Sequence, residues 1–386
     1  MFYLVLLVVI GCNIAPFIFY KLDIWHAQGI WVQTSIMMMF CYSFFEIPKK
    51  NIIKNKSLGL LNLWVGISTA WICYKSQLQG SYDIAHFFPY FNFLCMMIMY
   101  MMVVNYLDKE KILIILKWMK YTIIATLIMC VLQYLDLSQF FKLLKPNLVH
   151  GKAYFNNLVV GFIGNPTHLS GFLAMTSPLF LLENKREDKL ALILMFIILC
   201  TTGTTLYDPS ISGFIVLIGI WFYMIKSDKL KIFASIFCLI IFLILVWKFL
   251  PERFFSENGR FYTWSIYYDM FKMKPITGHG LGAVNTVYKS TALPTNRHFH
   301  MEYFQYMFEI GLIGFFLIVA VIKDFFSFVA KDKLQLTLKA IVLGFLISSC
   351  FNYPTRLWLP SVWVIFAYSA FYVIKNQEIK EENIGK

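Results

Sequence analysis

Residues 251–314 read PERFFSENGRFYTWSIYYDMFKMKPITGHGLGAVNTVYKSTALPTNRHFHMEYFQYMFEIGLIG and contain the longest polar interval between two hydrophobic runs of the chain. The stretch combines six Lys and Arg residues with acidic side chains and three of the seven histidines. Charged groups are scarce in the hydrophobic runs on either side. We therefore expect the chemistry of the protein to be located in this stretch.

The composition around the stretch is that of a membrane protein. Hydrophobic residues make up 59% of the 386 residues and charged residues 14%, against roughly 45–50% and 25% in a soluble domain. One globular core cannot bury this much apolar surface. At roughly 20 residues for each transmembrane helix, the length fits one bundle of helices. We predict an all-α integral membrane protein that forms a single polytopic domain over residues 1–386.

Twelve hydrophobic runs predict twelve transmembrane helices. Two of them, 190–204 and 338–351, are short for a full crossing, so each either extends into its loop or is misplaced in this count. The first run has no basic segment before it and no small-residue cleavage site, so we predict a retained span. The runs are 2–20, 29–47, 58–74, 87–106, 113–135, 167–183, 190–204, 210–225, 230–249, 301–322, 338–351 and 358–374.

The distribution of basic residues predicts the orientation, because Lys and Arg in short loops accumulate on the cytoplasmic side. We place the N-terminus inside, since all six interior segments are then basic, namely 49–56, 108–120, 184–189, 226–231, 323–339 and the tail from Lys375. This predicts a multi-pass protein with both termini in the cytoplasm. The basic residues of the two long outer loops, 136–166 and 248–300, suit an anionic substrate at the outer surface. Nucleic acid is not expected, because no basic soluble domain exists to hold it.

Cysteine and glycine patterns exclude several classes of site. All eight cysteines lie in hydrophobic runs and show no metal-ligand spacing, so we expect neither a disulfide framework nor a metal site. The chain has no Walker-type nucleotide loop, and GHGLGAVN at 278–285 neither follows a strand nor opens a Rossmann helix. We interpret this segment as a tight backbone turn before Asn285 and expect no cofactor.

The end of the polar stretch carries a family pattern. HFHMEYFQYMFEIGLIG at 298–314 resembles the histidine motif of the O-antigen ligase and polymerase family, in which His-Asn is followed by Leu-Gln and then by Glu-Leu-Gly-Leu-hydrophobic-Gly. This register matches the family histidine with His300 and the family glutamine with Gln305, and it includes Glu309. Met301 stands where the family has asparagine.

A second part of the family pattern lies upstream. Residues 259–285 are similar to the family's Arg, Trp and Pro-Leu-hydrophobic-Gly-x-Gly-x-Gly-Asn segment, with Arg260, Trp264 and Asn285 in or near register. Weaker matches extend the resemblance from about residue 164 to residue 360. One departure matters, because Ile211 stands where the family usually has the arginine of Ser-Arg-x-Gly.

The resemblance implies a fold related to the C-type (GT-C) membrane glycosyltransferases, with the large outer loop 250–300 carrying the active site. Such proteins take a glycan from undecaprenyl diphosphate at the outer face of the bacterial inner membrane and join it to an acceptor sugar. The implied partners are the undecaprenyl-diphosphate-linked glycan, an acceptor glycan or lipid A core, and membrane lipids. No metal or cofactor is implied.

The reaction requires groups that hold two negative phosphates and a group that takes a proton from the acceptor hydroxyl. Arginine suits the first task through bidentate pairing, so we expect Arg260 to bind the diphosphate, with Arg297 second and Arg356 replacing the arginine missing at Ile211. A histidine at the mouth of a helix exchanges protons near neutral pH, so we expect His300 to be the general base. The other candidates for substrate binding are His298, Gln305, Glu309, Trp264 and Asn285.

Three functions remain open at this point. A polymerase joins O-antigen or capsule repeat units on the lipid carrier, a ligase transfers the finished glycan to lipid A core or protein, and a transporter performs no catalysis. Transporters place ionisable residues within their spans, and few are found in these runs, which favours a glycosyltransferase. Polymerase and ligase share their donor chemistry, and the polymerase is our preferred prediction.

Overall fold

The computed structural model describes residues 1–18, 24–45, 56–78, 88–135, 159–183, 185–205, 207–224, 260–284, 301–350 and 354–384. Every regular element within these residues is a helix. The helices are α1 (Phe2–Ile18), α2 (Ile24–Ser43), α3 (Lys56–Leu78), α4 (Phe88–Tyr106), α5 (Lys109–Tyr134), α6 (Pro166–Thr176), α7 (Arg186–Thr205), α8 (Tyr207–Met224), α9 (Arg260–Met273), α10 (Glu302–Ser327), α11 (Lys333–Ser348) and α12 (Trp358–Ile384), with 3₁₀ helices at Ser177–Leu181 and Pro354–Arg356.

Helices occupy the predicted hydrophobic runs wherever the structure describes them. The ninth run, 230–249, lies outside the described residues. Among the residues that the structure describes, five stretches are long and apolar enough to cross a membrane, namely Lys56–Lys75, Pro89–Tyr106, Lys109–Tyr134, Glu302–Ser327 and Trp358–Ile379. The all-helical membrane class is therefore confirmed, while twelve crossings and the C-type architecture stay predictions.

The two short runs are longer as helices than as hydrophobic segments. α7 has 20 residues, and α11 has 16 residues because it begins at Lys333, five residues before the apolar run. Asp332 sets this start, since its carboxylate accepts a hydrogen bond from the Gln335 backbone N–H at 2.7 Å. Both runs therefore extend into the loops that precede them.

Lys339 consequently lies inside α11 and not in the interior loop where we placed it. Its side chain is buried, and the ammonium donates to the backbone carbonyls of Phe326 and Phe328 at the end of α10. It also lies 5.1 Å from the ring centroid of Phe371. Carbonyl oxygens and aromatic faces together stabilise this buried charge.

The sixth run departs from a regular helix. α6 ends at Thr176 and the chain continues as the 3₁₀ helix Ser177–Leu181. Pro178 explains the change, because proline has no backbone N–H and its ring clashes with the preceding helical turn.

Ion pairs connect several of the predicted interior segments to one another. Lys120 Nζ lies 2.6 Å from Asp188, Lys109 lies 3.7 Å from Asp332, and Lys331 lies 2.6 Å from Glu382. Four basic segments, 108–120, 184–189, 323–339 and the tail, are therefore linked, as expected if they share one side of the membrane. That this side is the cytoplasm stays a prediction.

α12 lies at the centre of the bundle and α10 near its surface. In their most apolar stretches, 78% of the α12 residues are buried, against 22% for α10. Trp363 of α12 is fully buried, donates from Nε1 to the Val9 carbonyl at 3.0 Å and lies 5.0 Å from the Phe172 ring. The core is therefore built around α12. α10 lies nearer the surface, where it can contact the polar stretch that precedes it in the chain.

Candidate active site

α9 and the first half of α10 run side by side in the same direction. The Trp264 and Phe304 rings lie 6.5 Å apart, and the Tyr267 and Phe308 rings lie 5.1 Å apart. Residues three or four apart share one face of a helix, so these two pairs form a continuous contact. Because the residue numbers increase together along both helices, the first residues of α9 and α10 lie at the same end.

This arrangement brings two helix N-termini together. Arg260 is the first residue of α9, and Met301 is the N-cap residue of α10, so His300 immediately precedes this N-cap in the chain. The unpaired N–H groups of a helix N-terminus carry partial positive charge and attract anions. The common start of the two helices is where the sequence positions Arg260 and His300. On the α10 side it also contains the Glu302 carboxylate, and the Glu302 N–H donates to the Ser349 carbonyl at 2.9 Å.

Several predicted site residues can be located only by their position in the chain. Those that lie outside the described residues are Asn285, Arg297, His298 and His300. Arg260 and Arg356 are described as backbone, at the start of α9 and in the 3₁₀ helix Pro354–Arg356, but their side chains are not. Trp264, Gln305 and Glu309 are described completely.

Gln305 and Glu309 lie away from the common helix start. They are about one and two turns into α10 and buried, and Gln305 Nε2 donates to Glu309 Oε1 at 3.2 Å. Trp264 packs between the helices through its contact with Phe304. The structure therefore brings Trp264 close to the Arg260 end of α9 and places Gln305 and Glu309 deeper along α10.

α10 is interrupted at Gly311. This residue has φ 67° and ψ −175° inside an otherwise helical segment, a region of backbone space that is essentially restricted to glycine. The sequence predicted an uninterrupted run from 301 to 322, so this break was missed. It frees backbone N–H and C=O groups in the middle of a hydrophobic helix, and these groups require partners.

The turn after α9 supplies those partners. The backbone N–H groups of His279 and Gly280 donate to the carbonyls of Phe308 and Glu309 at 3.0 and 2.7 Å. In the other direction, the N–H groups of Leu312 and Ile313 donate to the carbonyls of Pro275 and Ile276 at 2.9 and 3.3 Å. We call these four hydrogen bonds the backbone interlock; they join residues 275–280 (PITGHG) to residues 308–313 (FEIGLI).

Two glycines allow this close approach. A Cβ atom on Gly278 would lie 2.5 Å from the Glu309 carbonyl oxygen, and one on Gly311 would lie 2.5 Å from the Gly278 nitrogen. Trp64 of α3 completes the junction by donating from Nε1 to the Ile310 carbonyl at 2.9 Å. The structure has a tight turn at the position predicted before Asn285, and Gly278 allows it to contact α10.

His279 belongs to the interlock and is not a second base candidate. Its ring stacks on Phe308 with centroids 4.6 Å apart, and Nε2 donates to the Met270 carbonyl at 2.8 Å. Burial lowers the pKa of His279, with smaller lowering contributions from the Lys274 and Lys75 charges. The neutral ring therefore attaches the end of α9 to the turn.

Glu302 is a residue that sequence reasoning did not single out. It is buried at the first position of α10, where its carboxylate accepts from the Thr355 backbone N–H at 3.0 Å and the Thr355 hydroxyl. The other carboxylate oxygen accepts from Ser349 Oγ at 3.0 Å. Glu302 thereby fixes the 3₁₀ helix that contains Arg356 to the start of α10. The available signal was an acid two residues after His300, at the beginning of a hydrophobic run.

A cavity of about 290 Å³ opens beside this junction. Its walls come from α3, α4, α10, α11 and α12 and are mainly apolar, with Val65, Phe93 and Ile318 among them. Its polar side chains include Glu302, Tyr306 and Thr355, and the Tyr306 and Thr355 hydroxyls lie 2.6 Å apart. The cavity thus suits an apolar ligand with a polar end near the start of α10.

Comparison with known proteins identifies the part of the chain that contains this arrangement. Residues 190–319 match the sequence profile of a family described as O-antigen ligase. The match includes α8, α9, the segment leading to His300 and both partners of the backbone interlock. It confirms the family resemblance of the motif at 298–314. No curated protein matches the chain.

Proposed function

Since residues 190–319 carry a domain of the O-antigen ligase family, we propose that the chain is a membrane glycosyltransferase that polymerises undecaprenyl-diphosphate-linked glycan repeat units. The reaction takes place at the outer face of the bacterial inner membrane. The observation that carries the proposal is the common start of α9 and α10, at which Arg260 begins one helix and His300 precedes the other.

The donor diphosphate binds at this common start. Arg260 begins α9, helix N-termini attract anions, and guanidinium pairs with phosphate oxygens in a bidentate manner. Arg356, attached to the start of α10 through Glu302 and Thr355, is the second cation. Arg297 lies three residues before His300 in the chain and is a further candidate for the same charge.

His300 activates the acceptor. The acceptor hydroxyl oxygen forms a bond to the anomeric carbon of the donor sugar while the bond from that carbon to the diphosphate oxygen breaks. The hydroxyl proton passes to the neutral imidazole of His300, and the diphosphate leaves on its lipid carrier. General-base catalysis of this kind contributes typically a factor of about 100 to 10,000.

The apolar cavity supports a lipid-linked donor. Its polar side chains include Glu302, at the start of α10, and its apolar walls are formed by five helices. An isoprenoid segment fits such walls, because burial of each CH₂ group contributes about 0.8 kcal/mol. We place the part of the carrier nearest the diphosphate in this cavity.

Glycan analysis of cells that carry single variants tests the assignment. We expect His300→Ala to abolish long glycan at unchanged protein level in the membrane, and Arg260→Lys to reduce it strongly, since lysine keeps the charge but loses the bidentate geometry. His298→Ala serves as the matched control and should have a milder effect. A normal glycan ladder in His300→Gln would remove His300 from the role of base.

A ligase is the second candidate, because the matched family is described as O-antigen ligase. The two activities differ in their acceptor. Purified protein supplied only with carrier-linked repeat units should produce longer carrier-linked chains if it is a polymerase. If product forms only after lipid A core or an acceptor protein is added, the chain is a ligase.

A further inference from the structure

Two lysine side chains meet at the outer end of α3 and the end of α9. Lys75 lies in the last turn of α3, and Lys274 directly follows α9. The two lysines are close enough for the Lys75 charge to act on the Lys274 ammonium. The contact is built into the fold, because the turn after Lys274 packs on α3 so closely that a Cβ on Gly280 would lie 2.6 Å from Ile72.

Both ammonium groups lack a carboxylate partner among the residues that the structure describes. The nearby Asp269 is engaged by Lys272 at 2.7 Å. Burial, followed by the Lys75 charge, lowers the pKa of Lys274. Two cations held together in this way repel each other unless an anion lies between them.

The side chains around the pair are those of a membrane interface. Lys75 lies 5.2 Å from the ring centroid of Trp71, and the Trp71 and Tyr74 rings lie 6.0 Å apart. Both rings are exposed, as are Met273 and Ile276, which lie beside Lys274 in the chain. Trp and Tyr are typical of the level of lipid headgroups, and exposed Met and Ile suit acyl or isoprenoid chains.

We propose that Lys75 and Lys274 form a binding site for the phosphate group of a membrane lipid. Its charge neutralises both ammonium groups, and its apolar chains lie against Trp71, Tyr74, Met273 and Ile276. The phosphate belongs either to an anionic phospholipid or to a polyprenyl diphosphate. The proposal does not depend on glycosyl transfer.

This site is separate from the proposed reaction centre. α9 has 14 residues, and at 1.5 Å for each residue its two ends are about 20 Å apart. Arg260 stands at one end and Lys274 follows the other. A lipid phosphate at the lysine pair therefore does not occupy the position that we propose for the reacting diphosphate.

Lipid titration of the purified full-length protein tests the site. Thermal unfolding in a nonionic detergent is measured with added phosphatidylglycerol, undecaprenyl diphosphate, or diacylglycerol as the lipid without phosphate. We expect at least one phosphorylated lipid to raise the unfolding temperature more than diacylglycerol does. The double variant Lys75→Gln/Lys274→Gln should require about tenfold or more of that lipid for the same shift.

Lys272→Gln is the matched control, because Lys272 lies two residues from Lys274 and is already paired with Asp269; it should bind lipid like the wild type. A loss confined to phosphatidylglycerol identifies a phospholipid site, and a loss confined to undecaprenyl diphosphate identifies a polyprenyl-diphosphate site outside the proposed reaction centre. Unchanged affinity of the double variant for both lipids overturns the proposal.

The lipid-free protein provides a second readout. Lys274→Gln removes one of two adjacent like charges, so the variant should unfold at the same temperature as the wild type or higher. Lys75→Arg/Lys274→Arg keeps both charges and should retain lipid affinity. A lower unfolding temperature of lipid-free Lys274→Gln with unchanged lipid affinity would indicate a purely structural role and overturn the proposal.

Discussion

Replacing Gly311 by alanine should destabilise the protein through the backbone interlock. At φ 67° and ψ −175°, a residue with a Cβ atom is strained by about 1–3 kcal/mol. The new Cβ would also lie 2.5 Å from the Gly278 nitrogen and 2.6 Å from the Ile276 carbonyl carbon. Relief of this clash requires the turn after α9 to move away from α10.

Movement of the turn breaks the four hydrogen bonds of the interlock. Each of these hydrogen bonds contributes about 0.5–1.5 kcal/mol, so the loss of all four adds at least about 2 kcal/mol to the backbone strain. We therefore expect Gly311→Ala to lower the free energy of unfolding by about 3 kcal/mol or more. Gly59→Ala is the matched control, because Gly59 lies in α3 and a Cβ atom there would have open space within 4 Å. Alanine at this position should be neutral or stabilising by up to about 1 kcal/mol.

Unfolding in detergent can be followed with a thiol-reactive dye, since the buried Cys12, Cys95 and Cys130 become reactive only on unfolding, whereas the exposed Cys41 and Cys350 react in the folded protein and set the baseline. We expect the Gly311→Ala midpoint to fall by roughly 4 °C or more. Gly278→Ala should have a similar effect, and the double variant should cost less than the sum because both changes break the same bonds. A Gly311→Ala midpoint equal to that of Gly59→Ala would refute this reasoning.

Two further predictions concern polar groups beside the interlock. Glu302→Ala removes the acceptor of three hydrogen bonds from Ser349 and Thr355 and should lower the free energy of unfolding by about 3 kcal/mol. Glu302→Gln keeps one acceptor oxygen and should retain most of the stability. Equal unfolding temperatures of the two variants would contradict this prediction. Burial holds the pKa of His279 in the folded protein below its ordinary value of 6.5. As the pH falls below 6.5, His279 is therefore protonated in the unfolded chain before it is protonated in the folded protein, so the free energy of unfolding should decrease. The dye assay between pH 7.5 and 5.5 should show this decrease in the wild type and a weaker one in His279→Gln.

The helices were predictable because each needs a long apolar run, and runs of that length are visible in the sequence. The end of α6 was not predicted, because run 167–183 was treated as one helix, although Pro178 was available in the sequence as a signal. Gly311 was not recognised as a break, because a glycine within a hydrophobic run is compatible with a continuous transmembrane helix. What makes it a break is the turn at 275–280, which is distant in the chain.

The identity of the candidate site residues was more predictable than their arrangement. Motif register indicated Arg260 and His300, but only the ring contacts between α9 and α10 place their chain positions at one end. Glu302 was missed because its role depends on Ser349 and Thr355, about 50 residues later in the chain. The roles of His298, His300, Arg297 and Asn285 stay predictions.

The backbone interlock also sets an order on the synthesis of the protein. Residues 275–280 leave the ribosome about 30 residues before residues 308–313, the segment that provides their hydrogen-bond partners. Until that later segment arrives, the N–H groups of His279 and Gly280 and the carbonyls of Pro275 and Ile276 must be satisfied by water. The turn therefore has to wait at the aqueous surface during membrane insertion and can enter its final position only with α10.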